Sequence, residues 1–387
     1  MTCIDVEVRL DSSAGAVTNT VSFTHEGVRH DIYWEHTGTF LPRQPPVLDF
    51  ALVAMLPYCM HHGLDIRILG SVTRSLIEAA EELIDVWTLW RPDLFRKVQL
   101  DATDVAADHA PAGFDAVLAF SGGVDSTFAL AANRQRTLGH RSRDVKAGVM
   151  IHGFDIPLDQ PELFNKSAAH ARYILSEMGS GLSTVRTNWR EYCIAWEMSH
   201  AFGIAAVLHQ YHGTTSFGIL AADDVYGEED FPWGNTSVTN PLLSGLSFPI
   251  QSCGGGSRRV CKVGEISRFE TVRSHIRVCW ANLGSGLNCG SCDKCVRTRL
   301  EFSVAGLHEI PAFPGRLTAD MVSRLRIKRE DQRRFLLAIL NHPGASRLDG
   351  NVHQALKRVV NCGRSTGFSG AIGNIVKTYW SALRGVR

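Results

Sequence analysis

Near the start of the chain, apolar residues alternate with polar ones, as in strands that bury one face. Val21 and Phe23, for example, are separated by a single serine. The pattern predicts strands over 4–10, 18–23, 30–35 and 97–100, and apolar residues at helical spacing predict helices over 47–62 and 72–89. We therefore predict an α+β N-terminal domain over residues 1–112, with a small, polar, acidic linker at 102–111.

From residue 113 to residue 300, short apolar runs alternate with helical patterns. Strands are predicted at 116–120, 147–152, 183–187 and 214–220, and helices from the first of these strands to about 136, over 161–178 and over 191–209. This alternation predicts an α/β fold with a doubly wound, mostly parallel sheet and helices on both faces. Residues 227–262 are rich in Gly, Ser, Asn and Pro, which predicts a long loop.

The last segment, residues 301–387, is predicted to be a helical C-terminal region, with helices at 319–326, 330–341 and 352–360. The 40 Lys and Arg residues nearly balance the 39 Asp and Glu residues, giving a formal charge of +1. This balance argues against a dedicated nucleic-acid binder. We expect no membrane association and a cytoplasmic location, because the sequence has neither a signal-peptide pattern nor an apolar run of about 18 residues.

A glycine-rich turn joins the strand at 116–120 to an alanine-rich helix. Its residues are Ser121, Gly122, Gly123, Val124, Asp125 and Ser126. Two glycines allow a tight turn and close approach of a ligand, and a helix N-terminus offers unpaired N–H groups and partial positive charge. Asp125 would repel a bare phosphate, which suggests a bridging Mg²⁺ or a structural hydrogen bond. The turn predicts a phosphate site, and a turn without a ligand is the alternative.

This turn closely resembles the SGGxDS loop of the PP-loop ATP pyrophosphatases, also called the adenine nucleotide α-hydrolase-like group. The resemblance implies a HUP-like sheet and an ATP site in which residues 121–126 bind the β and γ phosphates. It also implies Mg²⁺ as a cofactor and catalytic roles for Asp125 and Ser126. In that group AMP is transferred to a substrate oxygen and pyrophosphate is released.

Four cysteines form the second motif, with the spacing C-x9-C-x2-C-x2-C. They are Cys279, Cys289, Cys292 and Cys295. Four thiolates at tetrahedral corners suit Zn²⁺ and leave no open position, so the predicted site is structural. An Fe–S cluster and unligated thiols are the alternatives. Basic neighbours that can offset the charge of a tetrathiolate centre are Lys294, Arg297 and Arg299.

The cysteine cluster resembles the zinc site of the 7-cyano-7-deazaguanine synthases, which are PP-loop enzymes. The resemblance covers about residues 113–300. Lys262, followed by Glu265 and Ile266, resembles the K-x-E-[IV] element of those enzymes with one residue inserted. This implies that Lys262 contacts a phosphate or the leaving group, and a surface lysine at a helix start is the alternative.

Several further residues are candidates for contact with ATP or substrate. His152 and Asp155 follow the carboxyl end of a strand, where ligands bind in open α/β sheets, although a plain turn explains them equally well. Other candidates for the substrate pocket are Trp196, Glu197, His200, Gly203, Thr214, Thr215, Ser216, Trp233, Gly234, Asn235, Thr239, Asn240 and Pro241. For the residues between 196 and 203 the alternative is a buried helix with one hydrogen-bonded histidine, and for 214–216 it is β-propensity alone. Cys253 and Cys261 flank a triple glycine, and a pair of mobile thiols would suit sulfur transfer, with unrelated free thiols as the alternative.

These features together predict an enzyme that adenylates a carbonyl or carboxylate oxygen of a small molecule. A nitrogen nucleophile would then displace AMP and leave an amide or nitrile. One alternative is thionation of a nucleobase-like substrate, and another is a nucleotide-dependent module that modifies or gates a partner protein. An ammonia- or sulfur-donor protein and a homodimer are the protein partners that this interpretation allows.

Overall fold

The computed structural model describes residues 2–282 and 287–362. Its strands are β1 (Cys3–Ser13), β2 (Ala16–His25), β3 (Val28–Gly38), β4 (Asp65–Thr73), β5 (Leu100–Ala106), β6 (Asp115–Ala119), β7 (Asp144–His152), β8 (Gly181–Thr187), β9 (Phe217–Ala221) and β10 (Ile250–Cys253). Its α-helices are α1 (Asp49–His62), α2 (Arg74–Trp90), α3 (Val124–Arg134), α4 (Pro161–Glu177), α5 (Trp196–His209), α6 (Arg259–Ile266), α7 (Glu270–His275), α8 (Asp293–Val304), α9 (Ala319–Ser323), α10 (Glu330–Leu340) and α11 (Gly350–Cys362).

The described strands form one ten-stranded sheet in the order β10-β9-β6-β7-β8-β3-β2-β1-β4-β5. The pairs β8–β3, β3–β2 and β2–β1 are antiparallel, and the others are parallel. The predicted α/β class with a mostly parallel sheet flanked by helices is therefore confirmed. Strand β6 lies between β9 and β7, so the chain order reverses there. In open α/β sheets, the crevice at such a reversal is the usual place for a ligand.

The central strands are buried on both faces. In β6, Val117 belongs to a core formed with α1, α2 and α5, whereas Ala116 and Leu118 belong to a second core formed with α3, α4 and α6–α8. A run that is apolar at every position is what two covered faces require. The helices thus fix the position of the carboxyl end of β6 from both sides.

The N-terminal strands extend the same sheet. Strand β3 pairs with β8, from Trp34 opposite Thr187 to Gly38 opposite Ser183. Trp34 and Trp87 of the N-terminal segment share one buried core with Phe202 of α5. Residues 1–112 therefore share a sheet and a core with the segment that follows.

Three strands differ from the sequence-based expectation. The strand expected at 97–100 begins only at Leu100 and runs through much of the expected linker, as β5. Strand β4 was not predicted, and β10 together with the start of α6 lies inside the expected 227–262 loop. Strands β5 and β10 are the two edges of the sheet. Backbone pairing with a neighbour forms an edge strand such as the mostly exposed β5 without a strong apolar pattern.

The C-terminal helices form a third core. Val296 and Leu300 of α8 pack with Leu336 of α10 and Leu356 of α11 in one buried cluster. The predicted helices at 319–326, 330–341 and 352–360 correspond to α9, α10 and α11. Residues 363–387 of the predicted helical region lie outside the described residues. None of the helices in the described ranges has the length and apolar character needed to span a bilayer.

Candidate functional site

The turn over residues 121–126, called the phosphate loop from here on, connects the carboxyl end of β6 to α3. Gly122 has a φ of 73°, a left-handed conformation that favours glycine. Gly123 is the N-cap of α3 in extended conformation, and no side chain caps the first turn of this helix. The Gly123 N–H donates to Ser121 Oγ, and Ser126 Oγ donates to the Gly123 carbonyl oxygen, each at 3.3 Å. The uncapped first turn therefore offers N–H groups to an anion.

Two cations from α6 hold the carboxylate of Asp125. Lys262 Nζ lies 2.8 Å from Oδ1, and an Arg259 nitrogen lies 2.8 Å from Oδ2. Burial alone would raise the pKa of Asp125, but Lys262 and Arg259 lower it to about 2. The carboxylate is therefore ionised and binds two cations of α6, and its expected roles toward Mg²⁺ and in catalysis stay predictions.

A charged network behind the phosphate loop positions Arg259. Its guanidinium is buried and also contacts Glu301 at 3.3 Å and donates to Thr298 Oγ1 at 3.1 Å. Burial raises the pKa of the Glu301 carboxyl. Because buried charges require opposite charges nearby, the network fixes the distance between α6, α8 and the phosphate loop.

A cavity of about 420 Å³, called the first cavity, opens beside the phosphate loop, a volume typical of small-molecule sites. Its polar lining consists of Ser121, Asp125, Ser126, Asp155, Glu197, His200, Asp223, Asn235, Arg259, Arg277, Lys294 and Arg329. Apolar side chains that line it include Met150, Ile151, Phe154, Trp196, Ile204 and Leu220. The first cavity thus combines an apolar wall with a cationic region next to the loop.

A larger cavity of about 820 Å³, called the second cavity, adjoins the first. The residues shared by the two linings are Asp125, Glu197, Asp223, Trp233, Arg259, Trp280, Lys294 and Arg329. The C-terminal helical region supplies the outer wall, including Arg329, Asp331 and Phe335. Two ligands can therefore lie side by side, with the residues that line both cavities at the boundary.

Half of the candidates on α5 and in the following loop line the first cavity. Trp196, Glu197 and His200 project from α5, and Trp233 and Asn235 come from the loop. Asp155 also lines the first cavity. Of the two candidates predicted near the end of β7, Asp155 therefore lines the same cavity as the phosphate loop.

Other candidates lie elsewhere. His152 is buried, lies 2.9 Å from the Pro157 carbonyl oxygen and stacks on Phe164, so it does not line the first cavity. Gly203 packs against Trp189 and Phe154. The remaining candidates, which line neither cavity, are Thr214, Thr215, Ser216, Gly234, Thr239, Asn240 and Pro241.

His200 organises one wall of the first cavity. Its Nδ1 donates to the Trp196 carbonyl oxygen at 3.2 Å, and its Nε2 lies 3.4 Å from Asp223 Oδ2. Burial opposes the charged ring, but Asp223 raises the pKa of His200 above its ordinary value. The same Asp223 oxygen accepts a hydrogen bond from Trp233 Nε1 at 3.0 Å. Asp223 thereby joins α5 to the loop that carries Trp233.

Arg277 and Asp223 are two residues that the sequence analysis missed. Arg277 is buried, lines the first cavity, and donates its backbone N–H to the Gly122 carbonyl oxygen at 2.9 Å. Asp223 follows β9, the strand beside β6. A signal for Asp223 existed, because the carboxyl ends of neighbouring parallel strands meet at one edge. Arg277 belongs to no motif, and only its position before Cys279 hinted at its location.

The four predicted cysteine ligands come together. Their sulfur atoms all lie within 4.8 Å of one another, and the Cys279–Cys292 and Cys289–Cys295 sulfur distances are both 3.9 Å. Tetrahedral Zn–S bonds of about 2.3 Å place sulfurs about 3.8 Å apart. The cluster can therefore hold a metal such as zinc, whereas the ligands of an Fe–S cluster must be wider apart because the cluster itself separates them.

The cysteine cluster is connected to the phosphate loop. Asn288 Oδ1 accepts the N–H groups of Val278 and Cys279 at 2.8 and 3.1 Å, and so holds the segment that begins with Arg277. Arg299 donates to the Gly290 carbonyl oxygen in the cysteine knuckle, at 3.1 Å. Lys294 and Arg297, by contrast, line the cavities and make no hydrogen bond to a cysteine sulfur within the described ranges.

Cys253 and Cys261 do not form a thiol pair at the cavities. Cys253 is buried, burial raises its pKa to about 11, and Cys261 is exposed. Neither thiol lines the first or second cavity. A sulfur relay needs an accessible thiolate, so this arrangement does not favour thionation.

Comparisons of the chain with protein-family models, with curated proteins and with solved structures return no match. The interpretation of the site therefore depends on its own geometry and chemistry.

Proposed function

We propose that the protein is an ATP-dependent adenylating enzyme that transfers AMP to a carbonyl or carboxylate oxygen of a small molecule and releases pyrophosphate. A nitrogen nucleophile then displaces AMP and forms an amide. A nitrile would form when a second ATP adenylates the amide oxygen and AMP is eliminated with loss of both amide protons to solvent. The observation that carries this proposal is the uncapped N-terminus of α3, which follows a glycine turn at the reversal point of the sheet and faces a cavity lined by cations.

The first cavity suits a nucleoside triphosphate in two respects. Backbone N–H groups of the phosphate loop can donate hydrogen bonds to the terminal phosphates, and Arg277 adds positive charge. At the apolar wall, Met150 and Phe154 offer a surface for a base. This orientation directs the α-phosphate toward the residues shared with the second cavity.

The residues fit Mg²⁺ only as a nucleotide-bound ion. Both oxygens of Asp125 are engaged by cations, and Asp223 is engaged by His200 and Trp233, which leaves Asp155 and Glu197 as the other carboxylates that line the first cavity. Mg²⁺ usually keeps several waters and takes its other ligands from phosphates and one or two carboxylates. Bound in that way, the ion would neutralise the charge of the triphosphate. Asp155 would hold it near the phosphate loop.

The chemistry needs placement and charge neutralisation more than a protein nucleophile. An acceptor in the second cavity would direct its oxygen at the α-phosphorus, and the α-phosphorus–oxygen bond to pyrophosphate would break. Lys294 and Arg259 lie at the boundary between the cavities, where the negative charge develops. AMP then becomes the leaving group for the nitrogen nucleophile, and the proton lost by that nucleophile goes to solvent.

The decisive assay follows the products of ATP. Purified protein incubated with ATP, Mg²⁺, ammonium and a pool of small carboxylic acids should yield AMP and pyrophosphate in equal amounts, as measured by phosphorus NMR. Gly123→Pro removes the Gly123 backbone N–H and should abolish product formation, whereas Gly256→Pro, in an open part of the 227–262 segment, serves as the matched control.

Two results would overturn the proposal. One is the absence of Mg²⁺-ATP binding by calorimetry to folded wild-type protein. The other is release of ADP and inorganic phosphate in place of AMP and pyrophosphate. ATP cleavage to AMP only in the presence of a protein partner would instead favour the partner-module alternative over a small-molecule acceptor.

A further inference from the structure

Two cations on α8 line the second cavity, and the carboxylates that act on them lie beyond ion-pair distance. Lys294 and Arg297 are one helical turn apart and therefore share a face. Within the described ranges, neither side chain has a carboxylate within 4.0 Å of its nitrogens, and neither makes a hydrogen bond. Both are only partly exposed. A protein rarely leaves two neighbouring cations partly buried and unpaired unless an anion joins them.

Packing fixes the direction of Arg297. Its guanidinium lies over the ring of Phe335 on α10, with 4.2 Å between the guanidinium carbon and the ring centroid. Its Nε is buried without a hydrogen-bond partner. The guanidinium is therefore held in one orientation with donor capacity left for a ligand.

Two of the carboxylates that line the second cavity are paired with other cations. Asp331 pairs with Arg329 at 2.7 Å, and Asp230 pairs with Arg334 at 2.9 Å, whereas Glu197, Asp224 and Asp293 form no ion pair within the described ranges. Lys294 lines both cavities, whereas Arg297 lines the second cavity alone. The two cations thus extend from the boundary with the first cavity toward the C-terminal helices.

We infer that Lys294 and Arg297 form an oxyanion site in the second cavity that is separate from the phosphate loop. The site takes a carboxylate or phosphate group, which Arg297 can bind through two N–H groups and Lys294 as a point charge. The identity of the oxyanion rests on the proposed function. In that reaction it is either the carboxylate of the acceptor or the released pyrophosphate. The positive charge itself does not depend on that function.

The test is calorimetry on the full-length, zinc-loaded protein. A first titration with α,β-methylene-ATP and Mg²⁺ examines the phosphate loop, so a failure of the proposed function is detected separately. Protein saturated with this analogue is then titrated with benzoate and, in a separate experiment, with inorganic pyrophosphate. The same titrations on protein without the analogue follow, so that the oxyanion site is tested whether or not the analogue binds.

Whichever of the two probes the wild-type protein binds, Arg297→Gln should weaken its binding by about tenfold or more, as expected for the loss of a charge-assisted hydrogen bond. Arg297→Lys should restore part of the affinity, and Arg358→Gln, an exposed change on α11, should have no effect. Lys294→Gln provides a second test if Arg297→Gln does not fold. A response to benzoate assigns the acceptor carboxylate, and a response to pyrophosphate assigns the product.

The inference is overturned if wild-type protein binds neither probe. It is also overturned if the folded variants at 294 and 297 bind both probes as tightly as the wild type does.

Discussion

Lys262 Nζ donates a hydrogen bond to Asp125 Oδ1 at 2.8 Å and another to the Ala222 carbonyl oxygen at 3.0 Å. Its side chain is only 2% exposed. The ammonium group therefore ties the first turn of α3 to the segment after β9, on the two sides of the sheet's reversal point. The phosphate or leaving-group contact that the resemblance implies for Lys262 stays a prediction, whereas the alternative of a surface lysine is wrong because the residue is buried.

Lys262→Met should lower the free energy of unfolding by about 1–3 kcal/mol, because the Ala222 carbonyl loses its donor and Asp125 keeps only Arg259. Urea unfolding of this variant, of Asp125→Asn and of the double variant gives the coupling energy between the two residues. Lys357→Met, on an exposed face of α11, is the control and should change stability by less than about 0.5 kcal/mol. A coupling energy near zero would contradict the structural role of the pair.

The same pair predicts a dependence on acidic pH. The pKa of Asp125 is lowered to about 2, below its ordinary value of 3.8. A depressed carboxyl pKa stabilises the folded state above pH 3.8, and this contribution is lost as the pH falls through 2. Wild-type protein should therefore lose about 2 kcal/mol more than Asp125→Asn between pH 5 and pH 2. Parallel acid-unfolding curves for the two proteins would show that the pair contributes nothing.

Asp224 predicts the opposite dependence of folding stability on pH. Burial, followed by the charge of Asp223, raises its pKa to about 6. A raised carboxyl pKa favours the folded state at low pH, and the contribution is lost as the pH rises from 3.8 through 6. Asp224→Asn should therefore gain stability relative to the wild type between pH 4 and pH 8, by up to about 3 kcal/mol. Thermal unfolding at both pH values measures this, with the exposed change Asp104→Asn as control. An equal difference at both pH values would exclude this burial effect.

The cysteine cluster predicts metal-dependent stability. Cys292→Ser should remove the single equivalent of zinc that we expect in the wild type, as measured by a colorimetric zinc assay after unfolding, because a tetrathiolate site needs all four ligands. Cys261→Ser, outside the cluster, should keep the metal. Since the Arg277 backbone contacts Gly122, chelation should also weaken Mg²⁺-ATP binding. Full zinc content in Cys292→Ser would contradict the assignment of this cysteine as a ligand.

Much of the fold between residues 113 and 220 could be predicted because its strands are buried on both faces, α4 has one apolar face, and α5 is a long apolar run buried on nearly all sides. Strands such as β5 lie at an edge and carry few buried side chains, so their sequences lack the pattern. The phosphate loop and the cysteine cluster are local in sequence, and their residues could be named in advance. Arg277 and Arg329 reach the cavities only through the packing of distant segments, which no local pattern encodes.

His152 illustrates the limit of reasoning from strand ends. It follows the rule that ligand-binding residues lie after the carboxyl end of a strand, yet its ring turns toward the Pro157 carbonyl oxygen and Phe164. Asp155, three residues later, lines the first cavity. The rule identifies the segment, and the turn decides which side chain faces the ligand.

Gly122 and Gly256 both have open space for a Cβ but differ in backbone conformation. Comparing them tests whether the phosphate loop needs its left-handed turn. A Cβ added at Gly122 or at Gly256 would have no heavy atom within 4 Å, but only Gly122 has a positive φ, of 73°. Gly122→Ala should therefore cost about 1–2 kcal/mol of unfolding free energy through backbone strain, whereas Gly256→Ala should be neutral or slightly stabilising. Because strain at residue 122 also shifts the Gly123 N–H, Mg²⁺-ATP affinity should fall only in Gly122→Ala. Equal effects of the two substitutions, by urea unfolding and calorimetry, would mean that the left-handed turn is not needed.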